Sequence, residues 1–262
     1  GGSVLGNKES LDAIKKKDIE DFHRNYFRAG NMIAVVISDL EKEPLFEIFN
    51  KYLIEFPSGK PAEAKPNSIT IPEEKKISIE KDTKQFLVAL AFPLPKVTPK
   101  NFTLALLLEN LLGKGVDSKL WPLRFKEKLA YNVNSVATQM RDGGILEAYL
   151  ETGKEKKEVA MEALKKVLAD LFEKGITEEE LKVTKINLKS TSLRNNETKE
   201  ARASTLASFE ALGLGFEFFK EFFKGIDAVS LEEINAYIKD ILNPEKRVEV
   251  VVGPKDEAQE KS

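Results

Sequence analysis

The feature that most limits how this chain can fold is an internal echo. Asp18–Ser38 runs as an acid-started helix (DIEDF), a tyrosine at position 26, a break at Asn31 and the apolar run MIAVVIS. Ser230–Gly253 repeats that order with SLEEI, Tyr237, Asn243-Pro244 and RVEVVVG. Two helix–strand units of one design are either a chance likeness or the ends of two copies of one fold. The second unit closes about 190 residues of chain, whereas the first has only some 17 residues in front of it. Duplication is the favoured reading, with a first copy that keeps only its end.

Patterning fills in the elements. Residues 9–28 read as one or two helices, with Ile19, Phe22, Tyr26 and Phe27 on one face and Asp18 as N-cap. Asn31–Asp39 is β-branched and reads as a buried strand, and 44–56 reads as a helix. Three prolines without a large apolar side chain make 57–67 a linker. Strands are expected at 75–80, 85–92, 130–139, 144–151 and 247–252. A helix begins at Thr98-Pro99 and ends at Gly113 and Gly115, another spans 117–128, and five more fill 154–242. Thr177…Glu180 and Ser230…Glu233 are capping boxes. Residues 254–262 read as a frayed charged tail. The sum is an α+β protein: a mainly antiparallel sheet with helices packed on one face. The predicted organisation is 4–56, the tail of a preceding copy; 57–67, linker; 68–254, a complete domain; 255–262, tail. A lone strand with two or three helices buries little, so 4–56 is expected to dock on the complete domain or pair with another chain, the open strand edge favouring the latter.

Composition removes several functions. Formal charge is −2, from 41 basic and 43 acidic residues, without the basic excess of a nucleic-acid binder. No apolar run approaches the ~18 residues of a membrane span. Zero cysteines exclude disulfides, iron–sulfur clusters, thiolate zinc sites and a cysteine nucleophile. Many Lys and Glu with three Met suit a thermophile or simply a mixed-charge surface. The start, Gly1-Gly2-Ser3 without an initiator methionine, reads as appended or internally cut, leaving the compartment open between cytoplasm and periplasm of a bacterium.

Two stretches carry a family resemblance. LGNKESLDAIKKKDIEDFHRNYFRAGNMIAVVISDL resembles the end of the N-terminal domain of the pitrilysin/insulinase superfamily, through Gly6, Glu9, Ser10, Phe22, Tyr26, Asn31 and Met32. LLENLLGKGVDSKLWPLRFKEKLAYNVNS is similar to the most recognisable part of that family's other domain. The matching residues are Leu111, Leu112, Gly113, Gly115, Ser118, Leu120, Arg124, Leu129, Ala130 and Tyr131. The chain departs from the family wording at Lys119, where Arg is common, at Lys128, where Gly is usual, and at Pro122, inside a helix.

The resemblance implies zinc-assisted peptide hydrolysis by the whole protein. Catalytic zinc needs three protein ligands and an open position. The family draws them from H-x-x-E-H plus a distant Glu, and this chain has a single histidine, His23, in HRNYF. Zinc is therefore expected in a missing N-terminal half, upstream of Leu5, with no metal or cofactor in this chain, which by itself would be inactive. What the resemblance leaves here is Arg124 and Tyr131, a pair that completes the site from the domain opposite the zinc. Expected partners are a peptide substrate and the missing half or another chain, in a homo- or hetero-dimer. The rival readings are a non-catalytic scaffold subunit of the same fold and a generic interaction module. Gly113 and Gly115 lack the G-K-[ST] of a phosphate loop and suit a tight turn. FEFFKEFF at 216–223 is a partner-binding stripe or, more often, a buried helix. Leu193–Glu200 is assigned no chemistry.

Overall fold

The computed structural model describes residues 5–53, 56–62 and 73–255. The chain divides into two compact units, within residues 1–66 and 67–262. Residues 63–67 of the predicted linker and 256–262 of the charged tail lie outside the described residues, and 57–62 form neither helix nor strand.

The second unit is built on a five-stranded sheet: β1 (Lys75–Glu80), β2 (Phe86–Leu94), β3 (Asn132–Met140), β4 (Gly143–Thr152) and β5 (Val248–Gly253). Spatial order is β1-β5-β2-β4-β3; only β1 and β5 run parallel, and every other pair is antiparallel. Val88, Leu90 and Phe92 on β2 share a face with Leu146, Ala148 and Leu150 on β4, and all are buried. On the other face Leu87, Ala91 and Pro93 are half-buried and Glu147 is exposed. Alternation of this kind marks a sheet with helices on one side.

Helix α4 (Pro99–Gly113) is the central packing element, with nine of its 15 residues buried. Thr98 caps it by accepting from the Asn101 N–H, and Pro99 sits where its missing donor costs nothing. Each fully buried leucine, such as Leu107, Leu108 and Leu112, contributes about 2 kcal/mol. Helices α6 (Lys157–Lys174) and α10 (Leu231–Ile241) pack on the sheet beside it. Helices α7 (Glu178–Arg194) and α9 (Phe218–Ala228) pack on α4, and α8 (Lys199–Leu212) packs on α9. Both expected capping boxes form: Thr177 with Glu180 at 3.0 and 3.3 Å, and Ser230 with Glu233 at 3.0 and 3.1 Å. Phe218 and Phe222 lie in an edge-to-face cluster with Phe102 and Phe209, so FEFFKEFF is mainly a core helix. One buried charge, Glu249, is matched by Lys165 at 2.9 Å and Arg247 at 3.0 Å, fastening β5 to α6.

The first unit contains α1 (Lys8–Ala13), α2 (Lys16–Tyr26), a 3-10 turn (Ala29–Asn31) and α3 (Lys42–Leu53). None of these helices buries a residue. Two expectations change here. Lys15, not Asp18, is the N-cap of α2, and Asp18 reaches back to the Lys15 N–H at 2.8 Å. The apolar run expected as a strand at 31–39 is a 3-10 end followed by chain without a ladder. A strand is defined by its neighbour, and among the described residues of this unit none pairs with it. Met32, Ile33 and Val36 stay more than 40% exposed as a result. The echo therefore persists as helix, 3-10 turn and apolar run, and only its second copy, ending in Pro244–Lys246 and β5, becomes sheet.

Candidate functional site

The site starts at the end of α4. Gly113 comes so close to β3 that a Cβ there would stand 2.6 Å from the Asn134 carbonyl carbon and nearer still to the Ser135 nitrogen. Glycine is required because no side chain fits. Gly115 is needed for the opposite reason: open space surrounds it, but its φ is +87°. These two glycines turn the chain from α4 into α5 (Trp121–Phe125). The expected helix over 117–128 shrinks to these five residues, and Pro122 falls in their first turn, where it is tolerated. Lys114 does not act as a phosphate-loop lysine, because Glu109 at 3.1 Å and Asn134 Oδ1 at 2.9 Å hold it.

Beyond α5 the chain must reverse into β3 within a few residues. Lys126 and Glu127 N–H groups donate to the Pro122 carbonyl at 2.9 and 3.0 Å, ending the helix. Lys128 then takes φ +53°, the one left-handed non-glycine among the described residues. The family's usual Gly at this position thus has a conformational cause, and Lys128 meets the requirement under strain of about 1 kcal/mol. The Leu129 N–H returns to the Leu123 carbonyl at 2.9 Å, and the Tyr131 N–H donates to the Glu151 carbonyl at 2.8 Å.

Arg124 and Tyr131 stand at the two ends of this reversal. Tyr131 is 64% exposed and Arg124 is also exposed. The Arg124 guanidinium lies 5.3 Å from the Trp121 ring centre, a cation–π contact that orients it without taking its donors. Trp121 in turn stacks on Phe125 at 6.4 Å. Beside them a polar chain runs Glu109–Lys114–Asn134–Tyr149, closed by Asn134 donating to the Tyr149 hydroxyl at 3.2 Å. Burial pushes the Glu109 carboxyl up, against the opposing pull of Lys114 and the Ala137 N–H. Across the turn, partial burial raises the Glu180 carboxyl, but Lys119 and Thr177 outweigh it and hold it below the ordinary range. Lys119, in the family's arginine position, therefore serves as an anchor to α7.

Among the described residues, no group of three or more His, Cys, Asp or Glu side chains is placed to hold a metal ion. His23 stacks on Phe27 with 4.7 Å between ring centres. This donor set does not fit a catalytic zinc. No helix among the described residues is long and apolar enough to cross a membrane.

The family model for the peptidase M16 inactive domain matches residues 13–188. The chain belongs to the M16 peptidase family. The match to the M16 inactive domain agrees with the resemblance to pitrilysin/insulinase-type proteins read from the sequence. It is 28% identical over 239 residues to a Helicobacter pylori protein named non-peptidase homolog YmxG, covering 90% of this chain and 55% of that protein. It is 26% identical over 252 residues to a Bacillus subtilis protein named uncharacterized zinc protease YmxG, covering 92% and 58%. The M16 inactive domain solved from Pseudomonas fluorescens superposes with a TM-score of 0.85 at 24% identity, covering 97% of this chain and 61% of that one. The chain thus spans little more than half the length of these relatives.

The sequence singled out Arg124 and Tyr131. It did not single out Thr152 and Lys156, which hold the segment between them. A signal existed for Thr152: it is the hydroxyl-bearing residue in an otherwise apolar helix-facing row of β4.

Proposed function

We propose that this chain forms the wall opposite the zinc in a two-part M16 peptidase that hydrolyses peptides, and that Arg124 and Tyr131 are its contacts with the substrate. Residues 4–56 are then the end of the zinc-bearing copy, 57–67 the linker and 68–254 the opposite copy. The observation that carries the reading is the pair itself: two exposed side chains of the right chemistry on one backbone reversal tied down by hydrogen bonds. Peptide hydrolysis develops an oxyanion at the scissile carbonyl, and a phenol O–H aimed at it stabilises the transition state. A guanidinium offers permanently charged planar donors to the peptide's backbone carbonyls. A zinc ion held by the other half would lower the pKa of a bound water towards neutrality.

Partner surface supports the same reading. The first unit leaves Phe22, Phe27, Ile33, Val36 and Phe46 each more than 40% exposed, an apolar area that calls for a covering neighbour. The remaining length of the relatives is the natural source of one.

Tyr131→Phe in the reassembled enzyme, containing both halves, tests the proposal. Loss of one oxyanion donor should lower kcat by about 10²–10³-fold. Unchanged peptide cleavage would remove Tyr131 from the chemistry and favour a scaffold, the reading suggested by the relative named non-peptidase homolog.

A further inference from the structure

We infer that Thr152 and Lys156 are positioning residues that set Tyr131 through the backbone of residues 128–131; the inference rests on the substrate-facing role proposed for Tyr131. Tyr131 is mostly exposed, so its own packing does little to hold it. Its place is decided by the end of β4. The Thr152 hydroxyl, fully buried, donates to the Leu129 carbonyl at 2.7 Å. The Lys156 ammonium donates to the Lys128 carbonyl at 2.9 Å. The Tyr131 N–H meets the Glu151 carbonyl at 2.8 Å. The phenol oxygen lies 4.0 Å from where a Cβ on Gly153 would stand, so the tip of the side chain rests against the same strand end.

Thr152 has no other evident reason to be polar. It faces the helices in line with Leu146, Ala148 and Leu150, and its strand partner on β2 is Phe86. Valine has the same branching and would suit that row without a buried hydroxyl to satisfy. What threonine adds is the bond to Leu129, two residues before Tyr131. Lys156 adds a second tie at the strained residue, Lys128. Because Leu129 also bonds back to Leu123, the same ties steady the turn that carries Arg124. A catalytic donor displaced by about 1 Å loses on the order of 10²-fold in rate, so one buried anchor on the Leu129 carbonyl and one exposed anchor on the Lys128 carbonyl, beside the backbone bond of Tyr131, are a device of the right strength.

The experiment compares Thr152→Val, Thr152→Ser, Lys156→Met and Tyr131→Phe in the reassembled enzyme, following cleavage of a fluorogenic peptide. Thr152→Val should lower kcat at least about tenfold with KM within about twofold, because substrate binding uses other contacts. Thr152→Ser, which keeps the hydroxyl, should restore kcat to within about twofold. Lys156→Met changes an exposed side chain that cannot unfold the domain, and should lower kcat about threefold on its own. If Tyr131→Phe abolishes cleavage while Thr152→Val and Lys156→Met cleave like the parent, the positioning inference is overturned and the role of Tyr131 stands. If Thr152→Val fails to fold, a parental kcat in Lys156→Met overturns it. If Tyr131→Phe is silent, the underlying reading fails and takes the inference with it.

Discussion

Gly113→Ala is the sharpest test of how this site is built, because two effects of opposite sign meet there. Gly113 is the last residue of α4 and has no left-handed φ. On helix propensity alone, alanine would stabilise the chain by up to about 1 kcal/mol. Against that, the new Cβ would stand 2.6 Å from the Asn134 carbonyl carbon and closer to the Ser135 nitrogen, both backbone atoms of β3. Backbone cannot swing aside as a side-chain tip can, so α4 and β3 must part, and overpacking of this kind costs about 1–3 kcal/mol. Separation also strains the Ser135 hydroxyl bond to the Glu109 carbonyl, 2.6 Å long at a fully buried residue, for about 1 kcal/mol more. The net loss is about 1–3 kcal/mol, equivalent to a fall in Tm of roughly 2–12 °C for a unit of this size. Thermal unfolding followed by circular dichroism reads it directly. A neutral or raised Tm would show that propensity wins and that α4 does not need to touch β3 so closely, which would refute the account of the turn carrying Lys114.

Other positions give simpler expectations. Lys128→Gly should stabilise by about 0.5–1 kcal/mol, since it relieves a left-handed backbone while keeping the carbonyl that Lys156 grips; a lowered Tm in thermal unfolding would contradict this. Tyr237→Phe should be neutral or stabilising by up to about 1 kcal/mol in urea unfolding, because the buried hydroxyl lacks a partner and burial, with Asp240, pushes its pKa up. A loss above 1 kcal/mol would mean that the hydroxyl has a partner after all.

What the sequence offered for the candidate site was its residue types. Arg124, Tyr131 and the two glycines could be named from the motif words, and the lone histidine ruled out a zinc site of the family type. The part that could not be read was the support. Thr152 and Lys156 lie more than 20 residues beyond Tyr131, and the bonds they make exist only after β4 has turned back against β3. The strain at Lys128 was visible as a departure from the family wording, but its cause needed the measured φ.

The same division runs through the fold. Local signals decide what a segment does within its own few residues: the capping boxes of α7 and α10 and Pro99 at the start of α4 formed as expected, whereas the N-cap of α2 moved from Asp18 to Lys15. Signals that depend on a partner did not suffice. MIAVVIS and VEVVV are equally β-branched, yet the second became the strand between β1 and β2 while the first stayed without a ladder. Composition sets the propensity to extend, but hydrogen bonding to a neighbour makes a strand, and only the tertiary structure supplies the neighbour.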